Sequence, residues 1–261
     1  MELLTIALVG GGAFLAGGMN AMAGGGTFFS FPALLAAGVP PVTANASNTV
    51  ALWPASLSSA WAYRRELLRH KSWVILLTVV ALIGGLAGGL LLLATSNAAF
   101  AKLIPWLLLT ATALFAFSGQ VAKLVAWSKT RLGLQADPDA GRRSVGGTLF
   151  QLAVSIYGGF FGAGQGILML AALSIQGLED MQELNAIKNW LSAINYTVSG
   201  LTFIIAGAIS WPHTLLMLVT AMAGGYAGAA LARRLPALWL RRLVVAVGTV
   251  LTIIYFVKTY F

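Results

Sequence analysis

Amide and hydroxyl side chains beside clustered glycines are this chain's best equipment for chemistry, and they occur twice. Asn20-Ala-Met-Ala-Gly-Gly-Gly-Thr27 interrupts one apolar run, and Gly162-Ala-Gly-Gln-Gly166 interrupts a second. Consecutive glycines are poor helix formers, so each stretch reads as a break after which a helix restarts, at Thr27 and at Ile167. The free N–H groups and positive dipole end of a restarting helix attract an anion. Asn20, Gly25, Gly26 and Thr27 at one break, and Gly164, Gln165 and Gly166 at the other, are therefore candidate anion-binding residues. Asn45, Ser47 and Asn48 follow the first break, and Asn185, Lys188 and Asn189 follow the second. Within each set the asparagines are three or four apart and share a helix face, where they can offer N–H donors. Lys188 is a natural partner for an anion if it lies deep, since a buried lysine at mid-membrane costs about 2.5–3.5 kcal/mol. A second reading assigns the glycines to close helix packing and the asparagines to helix–helix hydrogen bonds. In that reading Lys188 snorkels to the interface or pairs with Asp180 or Glu183.

Missing residues narrow the chemistry further. No Asp or Glu falls inside an apolar span, so no carboxylate proton relay is present. His70 and His213 sit at loop edges, and there is no cysteine. These features point to no metal site, no cofactor and no enzymatic nucleophile–base pair. Gly162-x-Gly164-x-Gly166 lacks the spacing and preceding strand of a dinucleotide fingerprint.

The elements that must position these residues are membrane-spanning helices. Of 261 residues, 59% are apolar and 9% charged, against about 25% charged in soluble domains, and the mean hydropathy is +0.86. Stretches of about 20 apolar residues, long enough to cross a bilayer, recur throughout. The +9 charge does not indicate nucleic acid, because the basic residues cluster in short loops. The chain opens with Glu2 and has no Lys or Arg before Arg64, unlike a secretory signal peptide, so its first segment reads as a retained span.

The expected architecture is an all-α polytopic membrane protein of two inverted repeats, each a broken or re-entrant helical hairpin plus three transmembrane helices. Residues 1–126 form the first repeat, with a hairpin at 3–38 and spans at 43–63, 73–94 and 103–126. A cytoplasmic linker covers 127–145. Residues 146–261 form the second, with a hairpin at 146–178 and spans at 185–207, 212–232 and 240–260. At an offset of 140 residues Gly24 matches Gly164, Gly26 matches Gly166, Asn45 matches Asn185, and Gly84/Gly88 match Gly224/Gly228, the signature of duplication. Thirteen of the sixteen Lys and Arg fall within Arg64–Lys71, Lys123–Arg143 and Arg233–Arg242, which the positive-inside rule places in the cytoplasm. Counting spans from those loops makes the two hairpins enter from opposite faces, with both termini periplasmic. Glycine-broken segments at matching places in inverted halves point to a transport site.

Gly17-Gly-Met-Asn-Ala-Met-Ala-Gly-Gly-Gly-Thr-Phe-Phe-Ser-Phe-Pro-Ala-Leu-Leu-Ala-Ala-Gly-Val-Pro-Pro41, with Ala60–Arg65 ending in Tyr-Arg-Arg, resembles the TauE/SafE sulfite-exporter family. The resemblance implies a secondary transporter of the bacterial inner membrane, surrounded by lipid, that exports a small sulfur-containing anion such as sulfite, thiosulfate or a sulfonate. It carries over no invariant site residue. An anion channel, or transport of a different small anion such as a carboxylate, stays open, as does homodimerisation.

Overall fold

The computed structural model describes residues 2–22, 25–62, 64–67, 71–120, 127, 145–176, 178, 180–232 and 237–261. Of the expected linker 127–145 only the two end residues fall within it. Gly24, Arg69, His70, Arg233, Arg234 and the end of the expected 103–126 span lie outside the described residues.

Described secondary structure is entirely helical: α1 (Leu3–Met22), α2 (Thr27–Ala36), α3 (Pro41–Ala62), α4 (Arg64–Leu67), α5 (Lys71–Ala94), α6 (Asn97–Ala116), α7 (Val145–Phe160), α8 (Gln165–Ile175), α9 (Met181–Ile205), α10 (Trp211–Ala232) and α11 (Ala237–Tyr260). Local capping sets several of these starts. Ser96 accepts a hydrogen bond from the Ala99 N–H at 3.2 Å, so α6 begins at Asn97, ahead of the expected residue 103. Asp180 does the same for the Glu183 N–H at 3.1 Å, and α9 starts at Met181 rather than near Asn185. The Asn97 side chain in turn accepts from the Val42 N–H at 2.9 Å, fastening the start of α3 to the start of α6.

Parts of α1, α5, α6 and α11 are each long and apolar enough to cross a bilayer. Helices α3 and α9 are long enough, at 22 and 25 residues, but their polar side chains lower their hydropathy. Those side chains point inward: Asn45, Ser47, Asn48, Thr49, Asn195 and Ser199 are buried, whereas Ile75, Ile83, Leu90, Val219 and Ile253 are exposed. Apolar outside and polar inside is the arrangement that suits lipid. Helices α2 and α8 have only 10 and 11 residues, or about 15 Å, half of the roughly 30 Å apolar core.

Packing exchanges partners between the halves. Helix α1 lies against α10, while α7, which follows α1 at the 140-residue offset, lies against α5, which precedes α10 by the same offset. The pairs α1–α2 and α7–α8, α2–α3 and α8–α9, α3–α10 and α9–α5, and α2–α11 and α8–α6 are likewise related by the same exchange, while α3–α9 and α6–α11 pair with each other. Glycine permits the two tightest crossings. A Cβ on Gly224 would stand 1.9 Å from the Phe14 carbonyl oxygen, one on Gly17 would stand 1.9 Å from that of Ala221, and one on Gly88 would stand 2.1 Å from that of Ile156. The Gly84/Gly88 and Gly224/Gly228 pairs are thus close-packing surfaces of the kind small residues make in membranes.

Candidate functional site

Each half contributes one break, and both breaks rest on α6. Gly25 has φ +83°, and a Cβ there would lie 3.0 Å from both the Phe115 ring and Val244. Gly164 has φ +76°, and a Cβ there would lie 3.5 Å from Ala111 and Leu114. Both breaks therefore touch the same turn of α6, Ala111–Phe115. The left-handed conformation is cheap for glycine alone, and it makes Gly164 the N-cap of α8. The helix accordingly restarts at Gln165, two residues before the expected Ile167. Aromatic rings close the space beside the breaks: Phe31 of α2 meets Phe161 at 5.5 Å between ring centroids, Phe100 meets Phe160 at 5.5 Å, and Phe28 meets Phe115 at 5.9 Å, all edge-on.

At the first break the Gly26 N–H and the Ser30 hydroxyl are already engaged by amide oxygens. Asn20 is exposed, and its oxygen accepts the Gly26 N–H at 2.8 Å. Gly26 itself presses on α1, where an added Cβ would stand 2.4 Å from the Ala16 carbonyl oxygen. Thr27 is buried. The Ser30 hydroxyl donates to Asn48 Oδ1 in a short, buried bond, which ties Asn48 to the start of α2. Ser47 is drawn elsewhere, since its hydroxyl accepts the Ser210 N–H at 2.9 Å and fixes the start of α10.

The second break gathers more of the candidates. No side chain caps α8 at Gly164. Lys188, half-buried and two turns into α9, lays its stem over Gly166, with Cδ 3.6 Å from the point where a Cβ would lie. Its ammonium group donates to Asn185 Oδ1 at 3.4 Å. Asn45 crosses over from the first half: its amide nitrogen donates to the Phe160 carbonyl at 2.8 Å, while its oxygen is buried without a partner among the described residues. Asn189 is half-buried on the same helix as Lys188, and no hydrogen bond among the described residues brings it to either break.

Four residues here escaped the sequence reading. Asn195 is fully buried, and its amide nitrogen donates to the Ser155 carbonyl at 2.8 Å. Tyr157 donates to the Ala163 carbonyl at 2.6 Å and so pins the break loop. Tyr196 sits against the Gln165 side chain, with its hydroxyl 3.4 Å from where a Cβ on Gly162 would lie. Arg241, counted with the cytoplasmic charges at the start of the expected 240–260 span, lies in α11 and donates to the Phe115 and Ala116 carbonyls at 2.8 and 2.7 Å, capping the end of α6 that supports Gly25. An asparagine and a tyrosine within an apolar run, as in Ala193-Ile-Asn-Tyr196, were the available signal for two of them. Among the described residues no group of His, Cys, Asp and Glu is arranged to hold a metal.

A polytopic helical bundle with inward-facing polar groups and paired half-length helices is the architecture of a membrane transporter. The chain matches the sulfite exporter TauE/SafE family over residues 9–255, and it belongs to that family of membrane transporters. A probable membrane transporter protein of Haemophilus influenzae is 29% identical over 259 residues, covering 97% of this chain and 94% of that protein. The probable membrane transporter protein YfcA of Escherichia coli K12 is 27% identical over 244 residues, 92% of this chain and 85% of the relative. A probable membrane transporter protein, ORF9, of a Sinorhizobium species is 26% identical, with 92% and 88% covered. No solved structure matches the chain.

Proposed function

We propose that this protein is a secondary transporter that exports a small sulfur-containing anion, sulfite, thiosulfate or an organosulfonate, across the bacterial inner membrane. The two halves are inverted repeats that alternate access to a site between the breaks, with both termini in the periplasm. The observation that carries this reading is that two glycine breaks, one from each half, pack against the same turn of α6. Exchange of equivalent helix pairs between the halves supports a two-fold relation, and the basic loops supply its orientation. Lys188 beside Gly166 gives the second break a positive charge, and the uncapped start of α8 adds the helix dipole there. An inward-negative potential contributes about 2.3 kcal/mol per charge per 100 mV, so an anion leaves the cell downhill without a carboxylate relay.

Flux from proteoliposomes loaded with sulfite or a sulfonate tests the reading. Saturable, trans-stimulated exchange is expected, and Asn45→Ala and Asn185→Ala should lower it. Absence of flux for every sulfur oxyanion refutes the substrate class, and current without saturable exchange refutes alternating access.

A further inference from the structure

Three buried amides around the second break share one disposition. Asn45 spends its nitrogen on the Phe160 carbonyl, and Asn195 spends its nitrogen on the Ser155 carbonyl. Gln165 lies against Tyr196, and its oxygen has no partner among the described residues. Asn45 Oδ1, Gln165 Oε1 and Asn195 Oδ1 are each buried with no hydrogen-bond partner among the described residues. The side chains are 1%, 4% and 0% exposed. Two of these oxygens flank the same point on α7: a Cβ on Gly158 would lie 1.8 Å from Gln165 Oε1 and 3.2 Å from Asn195 Oδ1. Glycine at 158 is what lets Gln165 turn its oxygen inward.

An amide oxygen accepts hydrogen bonds and repels another acceptor. A fully deprotonated oxyanion brought to this point meets lone pairs, and a buried acceptor left unsatisfied is costly. Sites built with unpaired polar groups reject ligands that lack the matching group. The partner these oxygens require is a donor. A bare metal cation is the poorer candidate, because Lys188 packs on Gly166 next to Gln165, α3, α7 and α8 carry no Asp or Glu, and the one carboxylate of α9, Glu183, sits in its first turn.

We propose that the second break recognises an anion that also carries a hydrogen-bond donor, such as a singly protonated oxyanion or a hydroxyl- or ammonium-bearing sulfonate. Lys188 pairs with the anionic group, and the oxygens of Gln165, Asn195 and Asn45 take the donor. This assignment rests on the transport reading above and adds the chemistry of its substrate.

The test is titration of the purified full-length protein, in nanodiscs, with ethanesulfonate and with 2-hydroxyethanesulfonate, which differ by one hydroxyl group. The hydroxyl-bearing sulfonate should bind about tenfold more tightly. In Gln165→Met that ratio should fall toward one. The wild-type ratio decides the matter even where the variant does not fold. Equal affinity of the two sulfonates overturns the donor requirement and leaves the transport reading standing. Binding of neither, in any buffer, removes the anion reading itself. Stabilisation by sodium alone against a choline background, with a ratio of one, assigns the oxygens to a cation instead.

Discussion

Replacing Gly88 with alanine isolates the energetic role of the exchanged crossings. The added methyl would stand 2.1 Å from the Ile156 carbonyl oxygen, 2.7 Å from the Phe160 nitrogen and 2.9 Å from the Gly159 carbonyl carbon. All three are backbone atoms of α7, so no side chain can rotate away, and α5 and α7 must part by more than an ångström. Overpacking of this kind costs about 1–3 kcal/mol and sometimes more, and separation also removes dispersion contacts along the crossing. We take about 3 kcal/mol, which at about 2–4 °C per kcal/mol for a chain of this size lowers the apparent Tm by about 6–12 °C. Gly89 supplies the control. A methyl there meets Phe203 and Ser199 at 3.5 Å, an ordinary contact, so Gly89→Ala should leave Tm unchanged or raise it slightly through helix propensity. The assay is thermal unfolding of purified protein in one detergent, followed by intrinsic tryptophan fluorescence. Equal shifts for the two variants refute the reasoning, and so does a Gly88→Ala protein as stable as wild type.

Three further outcomes follow from particular contacts. Gly25→Ala combines a left-handed backbone, costing about 1–2 kcal/mol for an L residue, with two 3.0 Å contacts, whereas Gly38→Ala has φ +80° and open space. Melting curves should therefore show the larger loss for Gly25→Ala. Removing the amide in Asn45→Leu leaves the Phe160 carbonyl without its donor, at about 1–3 kcal/mol, and should lower both Tm and proteoliposome flux. Lys188→Met should raise the half-saturating anion concentration about tenfold or more, with Lys188→Arg intermediate because it keeps the charge and changes the geometry; initial rates across substrate concentration read this directly.

Helical architecture, the two breaks and the small-residue packing were all legible in the sequence, because each follows from composition or from glycine placed where a helix should continue. Partner choice was not. Gly84/Gly88 and Gly224/Gly228 present the same chemistry, and nothing in their spacing says that each meets the hairpin helix of the opposite half. Amide orientation was also hidden. Asn45 was expected to offer N–H groups, but the Phe160 carbonyl takes them and leaves the oxygen inward, a choice made by tertiary contact. Ser47 was grouped with the breaks by proximity in sequence, yet it holds the start of α10. Arg241 was counted among the cytoplasmic charges at the start of the 240–260 span, and nothing in the sequence says that its guanidinium aims at the last carbonyls of α6.

The exchange of α1 onto α10 has a consequence for biogenesis. On the ribosome, α1 leaves long before its partner exists, since α10 begins only at Trp211. At about 5–20 residues per second the interval is on the order of 10–40 s. Throughout it, the flat glycine face of α1 at Gly17 and Gly18, shaped to lie against backbone, has only lipid or an insertion factor to touch. Helix α7, by contrast, emerges after α5 and finds its partner waiting. The two crossings are equivalent once assembled but opposite in order of synthesis. A nascent first half is therefore an open half-joint, and the α10 of a neighbouring chain fits it as well as its own.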